Sequence, residues 1–88
     1  MNLFMAARYA EVTKLAQQMT ADFPHYGYGW KMLGAALKQA GRTADALLPM
    51  QKAIELSPFD PETHNNLGIT LMGLGQLEEA ITHFQRAL

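Results

Sequence analysis

The sequence contains no cysteine, which excludes disulfides, thiolate metal sites and cysteine nucleophiles. It also lacks concentrated charge. Seven Lys plus Arg against eight Asp plus Glu leave a net charge of −1, and the basic residues Arg8, Lys14, Lys31, Lys38, Arg42, Lys52 and Arg86 are scattered along the chain. Phosphate backbones and anionic membrane surfaces need clustered positive charge, so neither nucleic acid nor membrane is expected as a partner. No apolar run approaches membrane-spanning length. The start "MNLFMAARY" has neither the charged beginning, the long apolar stretch nor the small-residue cleavage site of a signal peptide, and the expected location is cytoplasmic. The 88 residues suffice for one small domain with a modest core and are too few for two.

What the chain does have is an internal repeat. Laying "WKMLGAALKQAGRTADALLPMQKAI" over "HNNLGITLMGLGQLEEAITHFQRAL" pairs Trp30 with His64, Leu33 with Leu67, Gly34 with Gly68, Leu37 with Leu71, Gly41 with Gly75, Ala46 with Ala80, Met50 with Phe84 and Ala53 with Ala87. Every pair is separated by 34 positions. In the other direction Pro58 falls on Pro24 and Thr43 on Tyr9, so "RYAEVTKLAQQMTADFP" reads as the second half of an earlier copy. About two and a half copies result: a truncated one over 1–26, a full one over 27–60 and a near-complete one over 61–88.

Within a copy the large apolar residues recur at helical intervals, as in Trp30, Leu33, Leu37 and then Ala46, Leu47, Met50, Ala53, Ile54. Gly41 and Gly75 stand where one helix must stop and reverse. Asp60-Pro61-Glu62 is a helix start of N-cap, first-turn proline and first-turn acid. Ser57-Pro58 marks the stop before it. The expected helices are 7–21, 26–40, 43–56, 60–74 and 77–88, with residues 2–6 as the last turn of a missing partner helix. Pro49 falls inside a helix past its first turn and is expected to bend it, so that Pro49→Glu would raise stability. In "HYGYGW", Gly27 and Gly29 weaken the first turn by about 1 kcal/mol each relative to Ala, and that end should fray unless something holds it. Trp30 is expected in the core.

The pattern resembles the tetratricopeptide repeat family over essentially the whole chain. The family's sequence of Trp, Leu-Gly, a large residue, Gly, Ala, an aromatic, Ala and Pro stands here as Trp30, Leu33, Gly34, Leu37, Gly41, Ala46, Met50, Ala53 and Pro58. The next copy supplies His64, Leu67, Gly68, Leu71, Gly75, Ala80, Phe84 and Ala87. The resemblance implies an all-α fold of antiparallel helix-turn-helix repeats stacked as a right-handed α-solenoid segment, with small residues where paired helices approach and large ones between pairs.

The resemblance also implies a concave groove lined by the first helix of each copy. On that stripe lie Tyr28, Lys31, Ala35, Lys38 and Gln39, then Glu62, Asn65, Asn66, Ile69, Met72 and Gly73. Members that clamp a peptide's C-terminal carboxylate use a Lys and an Asn four residues apart, then an Asn on the next first helix. Lys31 and Asn66 match, and Ala35 stands where the other Asn should be. In arrays attached to O-linked N-acetylglucosamine transferases, a ladder of asparagines bonds a peptide backbone. Asn66 matches that ladder and Met32 breaks it. An amide suits the task because it offers donor and acceptor together.

Enzymatic readings find no support in the residues. His25, His64 and His83 lack metal-site spacing and are read as solvated. Ser57 has no activating partner, Glu78-Glu79 complements a helix dipole, and "GLGQLE" follows no strand and is a hinge instead of a phosphate loop. No cofactor or catalytic residue is expected. The function read from the sequence is a protein-interaction module that binds a peptide or partner protein through Tyr28, Lys31, Lys38, Asn65, Asn66 and Ile69. The alternatives are an accessory substrate-positioning region of a larger enzyme such as a bacterial glycosyltransferase, or a purely structural segment. Self-association through exposed terminal helices is also expected.

Overall fold

A computed structural model describes residues 2–88. Its helices are α1 (Leu3–Asp22), α2 (Gly27–Gln39), α3 (Thr43–Leu56), α4 (Pro61–Gly73) and α5 (Leu77–Ala87), with no strand among the described residues. No helix is long and apolar enough to cross a membrane. Each helix packs on the next in sequence, and α2 also touches α4, whereas α1, α3 and α5 do not touch one another. The inner layer is therefore α2 and α4, drawn together, and the outer layer fans apart. That difference in spacing makes the surface of α2 and α4 the concave one.

Helix α1 begins earlier than the sequence suggests. Asn2 caps it, its side-chain oxygen accepting from the Met5 amide at 2.8 Å, so residues 2–6 open α1 and are not the end of a separate partner helix. Helix α4 starts as its sequence dictates: Asp60 caps it, accepting from the Glu62 amide at 3.2 Å, with Pro61 in the first turn. Helices α2, α3 and α5 have no side-chain cap.

The two hinges are copies of each other. Gly41 and Gly75 both adopt φ +81°. The Gly41 amide donates to the Lys38 carbonyl and the Arg42 amide to the Leu37 carbonyl; the Gly75 amide donates to Met72 and the Gln76 amide to Leu71. This pair of bonds closes a helix end only when the intervening residue is left-handed, which glycine tolerates.

Paired helices approach through glycine. A Cβ on Gly34 would lie 2.6 Å from Met50 Cγ, and one on Gly68 would lie 2.7 Å from Phe84 Cε1. Opposite small residues complete each contact, Ala46 in one copy and Ala80 in the next, both buried. Leu33, Leu37, Leu67 and Leu71 join them in one core, with Trp30 partly buried against it. The first turn of α2 is held by its neighbours: Gly27 sits against Ser57 and Leu56, Gly29 against Met19, and the Trp30 indole N–H donates to the Pro24 carbonyl at 2.8 Å. These contacts supply the restraint that a glycine-rich first turn needs.

His64 corrects its sequence reading. It is 2% exposed, not solvated, and takes the place of Trp30 in the next copy: its Nε2 lies 2.6 Å from the Pro58 carbonyl, as the indole does from Pro24. A carbonyl only accepts, so Nε2 carries the proton and Nδ1 is left as acceptor. His83 Nδ1, 3.0 Å away, must donate to it, and the two rings stack with centroids 5.2 Å apart. Thus a stacked histidine pair joins α4 to α5.

Pro49 gives a second correction. It lies within α3 and is buried. Its missing N–H removes one rung of the helix, but a glutamate there would bury a carboxylate, and that desolvation outweighs a restored rung. Pro49→Glu is destabilising on this geometry.

Gly75→Ala is expected to lower unfolding stability by about 1–2 kcal/mol, because a Cβ is strained in the left-handed region; urea denaturation of both proteins checks this. The His83 pKa is held below its usual value by burial first, then by the charges of His64 and Arg86, with Glu79 opposing. The unfolded chain therefore binds this proton more readily, and stability falls as pH drops below about 6.5. Melting temperatures at pH 7.5 and 5.5 should show this loss, and His64→Trp/His83→Pro, which copies Trp30 and Pro49, should flatten it.

Candidate peptide-binding groove

The inner face of α2 and α4 is where the groove residues converge. Two cross-helix contacts fix the register: Lys31 meets Asp60 and Glu62 at the start of α4, and Lys38 meets Asn66 further along. Rising numbers on α2 meet rising numbers on α4, so the two helices run parallel.

Lys31 is more committed than the sequence implies. Its Nζ donates to Asp60 Oδ2 at 2.9 Å and lies 3.4 Å from Glu62 Oε2, with only 20% of the side chain exposed. The bond to Asp60 holds the lysine pKa above its ordinary value, burial opposing. The same bond, then that from Thr63 Oγ1 at 2.6 Å, holds Asp60 below the usual carboxylate value. Both partners are charged near neutral pH, and the ion pair fastens α2 to the cap of α4. Lys31 is the groove residue whose charge is already spoken for.

Lys38 differs. Its ammonium reaches the Asn66 side-chain oxygen only at 3.5 Å, a loose contact, and it belongs to none of the ion pairs among the described residues. Asn65 is exposed and Asn66 half-buried. Lys38 occupies one acceptor of the Asn66 amide, leaving the N–H donors for a ligand. Ile69 is marginally exposed and Met72 is half-exposed. Tyr28 is 51% exposed and pairs with Tyr26, their ring centroids 6.0 Å apart. Tyr26 itself is half-exposed and does not cover α1 as a buried ring would.

Two hollows flank the stripe. Tyr28, Lys31, Ala53, Ser57, Asp60 and Thr63 line a notch of about 120 Å³ where α2, α3 and α4 meet. Tyr9, Val12, Met32, Ala35 and Gln39 line a second hollow of about 190 Å³ between α1 and α2. Met32 and Ala35, the residues that depart from the ladder and clamp patterns, thus form an apolar wall together with α1. Tyr9 and Val12 were missed as groove neighbours; the repeat phase, which places Tyr9 at the position of Thr43, was the available signal. Among the described residues no group of three or more His, Asp or Glu is placed to hold a metal.

Residues 61–88 match the family model of the tetratricopeptide repeat. That match takes in the last copy, and the copy over 27–60 carries the same pattern 34 positions earlier. Its repeats are similar to part of two peroxisomal targeting signal receptors, from Eremothecium gossypii and Candida glabrata, 34% and 32% identical over 59 residues. The match takes in 67% of this chain and 10% of each receptor. Among solved structures, the MamA D159K mutant aligns over 91% of the chain with TM-score 0.86 and 28% identity, covering 44% of its own length. MamA AMB-1 aligns over 91% with TM-score 0.84 and 26% identity, covering 47%. The chain therefore spans about a tenth of the receptors and under half of these MamA chains.

Proposed function

We propose that this tetratricopeptide segment is an interaction module that holds an extended peptide, or an extended segment of a partner protein, along the inner face of α2 and α4. The observation that carries the reading is the continuous stripe of Tyr28, Lys38, Asn65, Asn66 and Ile69 across two helices whose register is fixed by the Lys31–Asp60 ion pair. Preformed registry lets binding proceed without ordering the surface first, which is the main cost that rigid recognition sites avoid. The partial likeness to proteins named as receptors for a targeting signal is consistent with peptide capture. Tyr28 supplies aromatic contact area, Asn65 and Asn66 pair with backbone amides, Lys38 supplies a charge, Ile69 an apolar contact, and Lys31 positions the two helices. Reactive chemistry has no part in this mechanism.

A second reading stands on a separate observation. Leu3, Phe4 and Leu15 on α1, and Leu77 and Ile81 on α5, are each more than half exposed. Exposed apolar side chains at both ends of the helix stack are available for association, and reversible self-association through α1 and α5 is proposed alongside peptide binding.

Peptides selected from a displayed random library against this chain should lose about 1–2 kcal/mol of binding free energy with Tyr28→Ala or Asn66→Ala, and nothing with Gln51→Ala on the outer layer. Unchanged affinity in both groove variants would overturn the reading. Sedimentation equilibrium over a concentration series should show a rising mean mass; a monomer throughout removes the self-association proposal and leaves the groove.

A further inference from the structure

The two ends of the groove carry opposite charge. Where α2 and α4 begin, Lys31 is outnumbered by Asp60 at 2.9 Å and Glu62 at 3.4 Å. The Asp60 carboxylate is fully engaged: it accepts from Lys31, from Thr63 Oγ1 and from the Glu62 amide. One positive and one negative charge cancel there. Glu62 is left as the surplus acid, 70% exposed and open to a partner. Two helical turns along α2, Lys38 has no carboxylate partner among the described residues, and its recorded contact is the Asn66 amide oxygen at 3.5 Å. That end carries a surplus positive charge.

Spacing turns this polarity into a ligand requirement. At 1.5 Å per helical residue, Lys31 and Lys38 lie about 10 Å apart along α2, and Glu62 and Asn66 about 6 Å apart along α4. An extended peptide spans about 7 Å in two residues and about 10 Å in three. Asn65 lies between the charged ends and Asn66 beside Lys38, both available for backbone pairing, and Ile69 and Met72 continue the stripe with apolar surface.

Resting on the groove reading above, we propose that this groove recognises an internal, extended peptide segment with a basic and an acidic side chain two or three residues apart. The basic side chain lies at Glu62 and the acidic one at Lys38, and no free C-terminal carboxylate is required. A terminal carboxylate at the Lys31 end would meet a lysine already neutralised and two acids that repel it, and Ala35 offers it no side-chain donor. Charge of this kind selects partners more than it adds affinity.

The test uses four acetylated, amidated heptapeptides on one Ala/Leu/Ser background, carrying Lys and Glu two residues apart, two Lys, two Glu, or neither. Each is titrated into ¹⁵N-labelled protein, with the amides of residues 28, 38, 65, 66 and 69 followed. The Lys/Glu peptide should bind about three- to fivefold tighter than the neutral one, the range of exposed ion pairs, and the advantage should shrink with added salt. Lys38→Glu should move the preference to the two-Lys peptide and Glu62→Lys to the two-Glu peptide, while the double variant should prefer a peptide in which Lys and Glu exchange places. Circular dichroism melts establish that each variant is folded; if Glu62→Lys is not, Glu62→Gln should weaken the preference for a basic side chain. Equal binding of all four peptides, or a tenfold gain when the amidated end is replaced by a free carboxylate, overturns the charge proposal and leaves the groove in place. An absence of shifts with every peptide overturns the groove reading itself.

Discussion

The structure depends on one constraint: within each copy, a large side chain on the second helix occupies the space that a Cβ would fill on the first. Met50 seats on Gly34 and Phe84 on Gly68. Close approach of two backbones maximises the dispersion contacts available to a small core and fixes the azimuth of both helices at once. From that azimuth follow the buried positions of Leu33, Leu37, Leu67 and Leu71, and with them the residues left over to face the groove. Tyr28, Lys38 and Asn65 are left at the surface because Gly34 and Gly68 have already decided which way α2 and α4 point.

Register between copies rests on a different kind of contact. Lys31 and Asp60 join the inner helices near their starts, where the same aspartate caps α4. One carboxylate thus ends the chain's turn, starts a helix and holds the neighbouring repeat. The half-buried setting strengthens the ion pair relative to a fully solvated one, since screening by water is reduced. The consequence is that one lysine of this face is engaged within the fold while the relative placement of α2 and α4 is fixed.

The copy over 61–88 differs from the one over 27–60 in how its helices are locked. Trp30 hooks the Pro24 carbonyl through its indole N–H, and His64 hooks the Pro58 carbonyl through its imidazole Nε2. The polar hook, a ring N–H on a proline carbonyl six residues earlier, is retained in both copies. The histidine pair with His83 gives α5 a docking contact that weakens on acidification, beside an α2–α3 pair whose equivalent positions, Trp30 and Pro49, do not titrate.

The sequence by itself determined the period, the helices and the hinges. Glycine at 41 and 75, the Asp60-Pro61 start and apolar spacing of three and four are local signals, and local geometry alone dictates their outcome. The face of α2 and α4 that holds Tyr28, Lys38, Asn65, Asn66 and Ile69 was legible for the same reason, because helical phase follows from numbering once the repeat is known. What only the tertiary structure decided were the pairings across repeats: that Lys31 is engaged by Asp60, that His64 is buried against His83, that Pro49 faces inward, and that residues 2–6 belong to α1. The charge or burial of these groups depends on atoms from 10 to 30 positions away or on an open end of a helix, and no local spacing rule carries that information.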